Sequence, residues 1–332
     1  MPEDFREGTE ILGDAGCAAR AIGDDRGMEH VLHLLTGPTA VGKTEWALRW
    51  AEARGAEIVS CDSLLFYRGM NIGTAKPTAE ERARVPHHLI DILGVVETWD
   101  VARYVAAARA ACEEIAQRGR RVLVTGGSGF YLKAFVAPVA DAVEVSPEIR
   151  EAVAARLEAD GLPPLVAELG RLNPQGLGAL DVRNPRRVVR ALERCLASKC
   201  SLAELAGRFA RQPSAFADWT VRLERLDRPR PDLDARIDAR VRAMLEAGLV
   251  EEVRALLAAG LKGNPSAAKA IGYRESIEHL EGRLSAKELP AVIARHTRAL
   301  VRKQGTWFRT QLPAHAVHDA ARLTLDRLFR EA

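Results

Sequence analysis

Apolar positions along the chain fall into two regimes. Up to about residue 140, short continuous apolar runs alternate with longer helical patterns. Val31 to Thr36 reads as a buried strand, Glu45 to Arg54 as a helix, Glu57 to Ser60 as a second strand, and Val101 to Arg118 as an alanine-rich helix. Arg121 to Thr125 follows as a third strand, running into a helix from Phe130. Such alternation predicts an α/β core built on a parallel sheet. From Asp141 to Phe216 the strands stop and the spacing becomes helical. Ser146-Pro147-Glu148 has the cap and first-turn proline of a helix start, and Asn184-Pro185 opens another helix running to about Ser198. Thr220 to Leu226 is strand-like again, Pro231-Asp232 opens a helix ending near Gly248, and a basic helix with aromatics spans Arg298 to Arg309. This layout divides the chain into an α/β core at 29–140 and 216–320, interrupted by a helical insertion at 141–215. Residues 1–28 have neither period, which predicts a disordered tail, with Met28 as an alternative start.

The 332 residues suffice for one large domain, or one domain with a sizeable insertion. No apolar run reaches the roughly 18 residues of a membrane span, and no basic-then-apolar leader is present, so a cytoplasmic protein without membrane partners is expected. Cys17, Cys61, Cys112, Cys195 and Cys200 form no C-x-x-C pair and have no histidines at zinc spacing, which predicts reduced thiols and no zinc site. The net charge is +3, but residues 1–27 carry seven acids against three arginines, a net −4 that leaves +7 for the rest. A basic body suits a phosphate-rich partner.

The most informative stretch is Gly37-Pro38-Thr39-Ala40-Val41-Gly42-Lys43-Thr44, which fits G-x(4)-G-K-[ST] between a strand and a helix. In that context successive N–H groups form a nest for an anion, and the helix N-terminus adds partial positive charge. Lys43 then reaches the outer phosphate and Thr44 holds Mg²⁺. Asp62 and Ser63 end the second strand, so Asp62 is expected in the crevice that Lys43 faces. The mixed stretch from Leu64 to Pro77 reads as a shaped loop. His87-His88 is expected in a structural or hydrogen-bonding role. Gly126-Gly127-Ser128-Gly129 is a second glycine-rich turn, able to bring Ser128 to an anion or a base. The strand before it lacks the acid with which an ATPase of this class holds Mg²⁺, Leu89-Ile90-Asp91 is too short a substitute, and no Asn-Lys-x-Asp guanine reader is present. The loop's cargo is therefore open, and need not be a nucleotide.

Arg183, Arg187, Arg190 and Arg194 recur at the spacing of one helix face beside Val188, Leu192 and Cys195. A row of like charges suits an RNA backbone. Arg236 and Arg240 share a face of a later helix, with Asp232 placed to pair with Arg236. Lys269 to Arg274 and the basic aromatic helix, with Trp307 and Phe308 as either core or base-stacking rings, complete the candidate RNA contacts.

Together GPTAVGKT from Gly37, SCDSLLFYRGMNIGTAKP from Ser60, PHHLIDI from Pro86, GGSGFYLKA from Gly126, NPRRVVRALE from Asn184, RIDARVRAML from Arg236, AIGYRE from Ala270 and KQGTWFR from Lys303 resemble the tRNA dimethylallyltransferases, also called tRNA isopentenyltransferases. They stand in the family's order and cover nearly all of Val31 to Arg309. Ser128 replaces the usual Thr, Trp99-Asp100 replaces an aromatic-Ser pair, and Ala299 stands where Gln is common. The resemblance implies a P-loop NTPase-like parallel sheet core with a helical insertion, and Mg²⁺-assisted transfer of a dimethylallyl group from dimethylallyl diphosphate to the N6 amine of the adenosine 3′ of the anticodon (tRNA position 37), releasing diphosphate. It implies catalytic roles for Asp62, Arg236, Lys43 and Ser128, and a diphosphate held by Gly37, Thr39, Ala40, Val41, Gly42, Lys43 and Thr44, with Thr44 on the metal. It also implies tRNA contacts, to the anticodon stem-loop, from Asp62, Ser63, Leu64, Leu65, Ser128, Arg183, Arg186, Arg187, Arg190, Arg194, Lys269, Gly272, Tyr273 and Arg274. A monomer is expected. The rival readings are an adenylate isopentenyltransferase, an ATP-dependent small-molecule kinase and a non-catalytic RNA-binding P-loop protein.

Overall fold

A computed structural model describes residues 30–139 and 143–330; the expected tail at 1–28 lies outside them. Six parallel strands form one sheet in the order β3-β2-β4-β1-β5-β6. These are β1 (Val31–Thr36), β2 (Ala56–Ser60), β3 (His87–His88), β4 (Arg121–Gly126), β5 (Thr220–Asp227) and β6 (Ala316–Asp319). Strands β1, β2 and β4 are almost wholly buried, as near-continuous Val/Ile/Leu runs in a parallel sheet must be.

Helices cover the sheet. They are α1 (Lys43–Arg54), α2 (Ala79–Arg84), α3 (Val101–Gln117), α4 (Gly129–Lys133), α9 (Arg230–Glu246), α10 (Leu249–Ala258), α11 (Pro265–Ala268), α12 (Tyr273–Leu280) and α13 (Leu289–Gln311), with α5 (Pro147–Asp160), α6 (Leu162–Leu172), α7 (Pro185–Ser198) and α8 (Leu202–Ala210) between β4 and β5. The starts follow the capping residues: Ser146 accepts the N–H of Ile149, Asn184 that of Arg187, and Ser201 forms a capping box with Glu204. Asp100 caps α3 by accepting the N–H of Arg103 at 2.9 Å.

Apolar side chains gather in two separate clusters. The larger joins both faces of the sheet, and the smaller joins α5 to α8 around Leu165, Leu169, Val188 and Leu192. At the C-terminal end the sequence reading stops short. Strand β6 was not anticipated, and Leu328 and Phe329, beyond the expected core limit of 320, are buried in the larger cluster, where Leu328 accepts the indole N–H of Trp50 at 3.2 Å.

The order of the strands positions the site. β1 lies between β4 and β5, so the loops leaving β1, β2 and β4 open on the same end of the sheet, the usual ligand crevice of open α/β sheets. Gly126 ends β4 where a Cβ would sit 2.0 Å from the carbonyl oxygen of Cys61, so the loops after β2 and β4 approach closely only because this residue has no side chain. The loop from Asn71 to Gly73 is folded around one carboxylate: Glu252 accepts N–H bonds from Asn71, Ile72 and Gly73 at 2.9, 2.7 and 3.2 Å, and the Tyr273 hydroxyl at 2.7 Å. Replacing Glu252 by Ala leaves those donors unmatched, an expected loss of about 2 kcal/mol read from the urea midpoint. Amide exchange should accelerate at residues 71–73 first; unchanged protection there would show that the loop is held by other contacts.

Candidate active site

The phosphate loop turns through Gly37, whose φ is +153° and where a Cβ would lie 2.6 Å from the carbonyl oxygen of Leu226, and through Gly42 at φ +105°. Ala40 adopts φ +65°, a left-handed conformation that costs an L-residue energy. Its carbonyl is held from outside by Arg236, whose Nε donates to Ala40 at 2.9 Å, and the next carbonyl, of Val41, takes the Nε of Arg228 at 2.7 Å. Arg228 is itself anchored by Asp232 at 2.8 Å, which corrects the expectation that Asp232 pairs with Arg236. An i, i+4 partner was available on either side of Asp232, and Arg236 is engaged by the loop instead. Thr39 donates its N–H to Gln304 Oε1 at 3.0 Å, and the Gln304 amide donates to the Gly127 carbonyl at 3.0 Å, bridging the two glycine-rich turns.

Lys43 folds back over its own loop, its Nζ donating to the carbonyls of Gly37 and Pro38, each at 2.9 Å. The side chain as a whole is partly exposed, but its ammonium is enclosed. Burial is the main cause of its lowered pKa, about 8; Asp62 pulls it back up and Arg240 pushes it further down. Burial likewise lowers the pKa of Arg240, against the opposing pull of Asp62. Asp62 accepts the N–H of Leu64 at Oδ1, at 3.0 Å, in a local turn, and Oδ2 has no bond among the described residues. Ser128 Oγ accepts the N–H of Ser63 at 2.9 Å, tying the loop after β2 to the loop after β4. Beside Asp62 the Cys61 thiol is fully buried, and burial pushes its pKa up, which makes it an inert thiol.

Two cavities meet at these groups. The first, of about 640 Å³, is lined by Thr39, Ala40, Gly42, Lys43, Thr44, Asp62, Leu65, Arg236 and Arg240 among others. The second, of about 750 Å³, is lined by Thr39, Lys43, Asp62, Ser63, Leu64, Gly127, Ser128, Lys269, Gly272, Gln304 and Arg240, with the rings of Trp99, Phe130, Tyr131 and Trp307. Lys43, Asp62 and Arg240 line both, so an anion in the first cavity and a flat aromatic group in the second would adjoin the same carboxylate.

Other expected contacts fall elsewhere. Arg186, Arg187, Arg190 and Arg194 line a separate cleft of about 450 Å³ on α7. Arg183 does not share that helical face: it precedes the Asn184 cap, is 95% exposed and lies 3.9 Å from Asp181. Tyr273 is fully buried on Glu252, so its ring presents no face to an RNA, whereas Arg274 is turned toward Glu275 and His296 with its side chain still partly exposed. Leu65 lines the first cavity and not the second. His88 bonds Glu57 at 2.7 Å and His87 the Val85 carbonyl at 2.7 Å. Among the described residues, no group of three or more His, Cys, Asp or Glu could hold a metal. Asp91 bonds Lys76 through one oxygen and Arg82 through the other. Mg²⁺ requires less from a protein, because it keeps several waters and takes substrate phosphates with one or two protein oxygens. The exposed hydroxyl of Thr44, lining the first cavity, fits that modest demand.

Sequence reasoning overlooked Arg228 and left Gln304 unassigned. Arg228 stands one residue beyond β5, and the same crevice rule that located Asp62 points to it. Gln304 carries no comparable signal.

The sequence pattern of the family described as IPP transferase matches residues 65–311. The tRNA dimethylallyltransferase of Opitutus terrae is 68% identical over 290 residues, which span 87% of this chain and 93% of that protein. That of Deinococcus radiodurans is 40% identical, across 91% of this chain and 97% of its own. Among solved structures, the full-length tRNA isopentenylpyrophosphate transferase from Bacillus halodurans is similar at a TM-score of 0.63 and 33% identity, over 88% of this chain and 90% of that one. A eukaryotic dimethylallyltransferase acting on tRNA shares the fold at a TM-score of 0.78 and 22% identity, over 90% of this chain and 76% of that one.

Burial holds the Lys43 pKa down to about 8, and a phosphate anion seated beside the ammonium would raise it. The lysine's share of affinity is then complete below that value and declines as pH rises above it, by up to roughly tenfold per unit until the bound-state pKa is passed. Calorimetric titration with inorganic pyrophosphate between pH 7 and 9.5 should show the decline in the parent protein and not in Lys43→Met; a parallel dependence in both would remove Lys43 from the anion site.

Proposed function

The chain belongs to the IPP transferase family, whose close relatives are prenyltransferases of tRNA, and we propose that it moves the dimethylallyl group of dimethylallyl diphosphate to the N6 amine of the adenosine just 3′ of the anticodon. The observation that carries this reading is the junction of the two cavities at Lys43, Asp62 and Arg240. The diphosphate occupies the first cavity, against the loop N–H groups, Lys43 and Arg236. The flipped adenine enters the second, between the rings and Asp62.

An allylic diphosphate breaks its C–O bond readily when the departing oxygens are stabilised, and fixed donors aimed at that charge do so without reorganising. Mg²⁺, held by Thr44 together with the diphosphate, would supply further positive charge to the leaving oxygens. The adenine amine is a poor nucleophile, because its lone pair is delocalised into the ring. Asp62 takes its proton at Oδ2 as the new N–C bond forms, while Oδ1 stays on the Leu64 N–H and keeps the carboxylate aimed. Ser128 holds the same turn and lines the acceptor cavity. Removing a base from the anticodon loop costs a few kcal/mol, and stacking on Trp99, Tyr131 or Trp307 offsets it. The arginine cleft of α7 grips the anticodon stem through its phosphates. An adenylate-sized acceptor would leave that cleft and its four-helix support without a partner.

Incubation with dimethylallyl diphosphate, Mg²⁺ and unmodified tRNA should add a C5 unit to adenosine, seen by nucleoside mass spectrometry; ATP turnover without that addition would end this reading. Asp62→Asn should bind tRNA nearly as the parent does while the single-turnover rate drops by at least ~10², and an unchanged rate would exclude it as the base. Replacing Arg187 and Arg190 together by Ala should lower the salt slope of tRNA binding by about one per lost phosphate contact, with donor affinity unchanged.

A further inference from the structure

The side-chain amide of Gln304 sits on α13 and touches both glycine-rich turns at once. Its oxygen accepts the Thr39 N–H at 3.0 Å, and its nitrogen donates to the Gly127 carbonyl at 3.0 Å. The contact is tight: a Cβ on Gly127 would meet Gln304 Nε2 at 2.7 Å, and a Cβ on Gly129 would meet the Trp307 ring at 2.7 Å. One face of α13 thus lies against the turn after β4, and Leu300, Lys303, Gln304 and Trp307 on that face wall the second cavity. Thr39 lines both cavities.

From this bridge we propose that Gln304 is a positioning residue that couples occupancy of the acceptor cavity to the diphosphate nest. The inference rests on the reading of the second cavity as the RNA acceptor site. An amide with both ends bonded fixes the peptide of Thr39 relative to Gly127, and so fixes where the following N–H groups of the loop point. An RNA base seated against Lys303 and Trp307 holds α13 against the turn, which favours the bonded geometry and the diphosphate with it. By linkage, a bound diphosphate strengthens RNA binding by the same factor. A fixed loop also loses less freedom on taking the anion, which is the physical source of the gain.

The test compares donor affinity with and without RNA. The full-length protein is titrated with the thiolodiphosphate analogue of the donor, which does not turn over, alone and with saturating unmodified anticodon stem-loop RNA. In the parent, RNA should tighten donor binding by at least about fivefold, the lower end of usual couplings. Gln304→Met keeps the length and packing of the side chain but neither hydrogen bond, and should bring that ratio to within twofold of one. Each protein is saturated with RNA according to its own affinity for it, so that the ratio reports coupling and not occupancy. A ratio near one in the parent, with both ligands bound, overturns the coupling; a parent-like ratio in Gln304→Met overturns the role of this residue. Should the stem-loop fail to bind the parent at all, the acceptor reading falls, and the coupling with it.

Discussion

A backbone that offers its N–H groups to an anion must turn its carbonyl oxygens outward, and those oxygens then need donors of their own. In this chain the donors are guanidinium groups. Arg236 holds the carbonyl of Ala40, a residue in a strained left-handed conformation, and Arg228 holds that of Val41. Both arrive from β5 and the start of α9, which lie more than 180 residues away in sequence. The phosphate loop therefore has its shape only when β5 has paired with β1, and the helical insertion between β4 and β5 has to return the chain to that register.

The second constraint is exposure of a carboxylate beside that nest without losing its aim. Asp62 follows a buried strand, spends one oxygen on its own turn, and is steadied by the Ser63–Ser128 bond. The loop beyond it, rich in glycine and apolar residues, has little core of its own. Glu252 supplies the order instead by collecting three backbone N–H groups and the Tyr273 hydroxyl. Lys76 is buried against the Tyr67 carbonyl and Asp91, so charged groups that look functional in sequence are here spent on loop geometry.

The parallel core and most of its elements were legible because buried strands and capped helices have strong local signatures. Local pattern located Lys43, Asp62 and Ser128 in one crevice, since the loops leaving adjacent parallel strands must share an end of the sheet. The crevice rule reaches the position of Arg228 but not the Val41 carbonyl it clamps, and the bridge of Gln304 has no such signal, because each depends on which distant backbone atom a long side chain reaches. Tyr273 illustrates the opposite limit. Its motif stands out in the sequence, but its ring is enclosed on Glu252, while Lys269 and Gly272 of the same stretch line the second cavity. Arg183 follows the helical spacing of its neighbours, yet Asn184 begins the helix one residue later. Strand β6 is short and partly exposed, with no apolar run to announce it.

The chemistry the loop is suited to follows from where acids are and are not available. Phosphoryl transfer of the usual P-loop kind needs an acid at the end of a neighbouring strand to help hold the metal. Strand β4 ends instead in Gly126, whose carbonyl takes the hydroxyl of Thr36, and Asp91 has both oxygens committed to Lys76 and Arg82. Among the described residues the one acid common to both cavities is Asp62, with Oδ2 unbonded where an acceptor from the ring-lined side would meet a carbon attached to the anion. A carboxylate in that position has little to offer a γ-phosphate, which is already anionic. It has much to offer a weak amine that must lose a proton as it attacks. The nest then serves the group that leaves, and the proposed reaction uses the loop's electrostatics on the far side of the bond from where a kinase would use them.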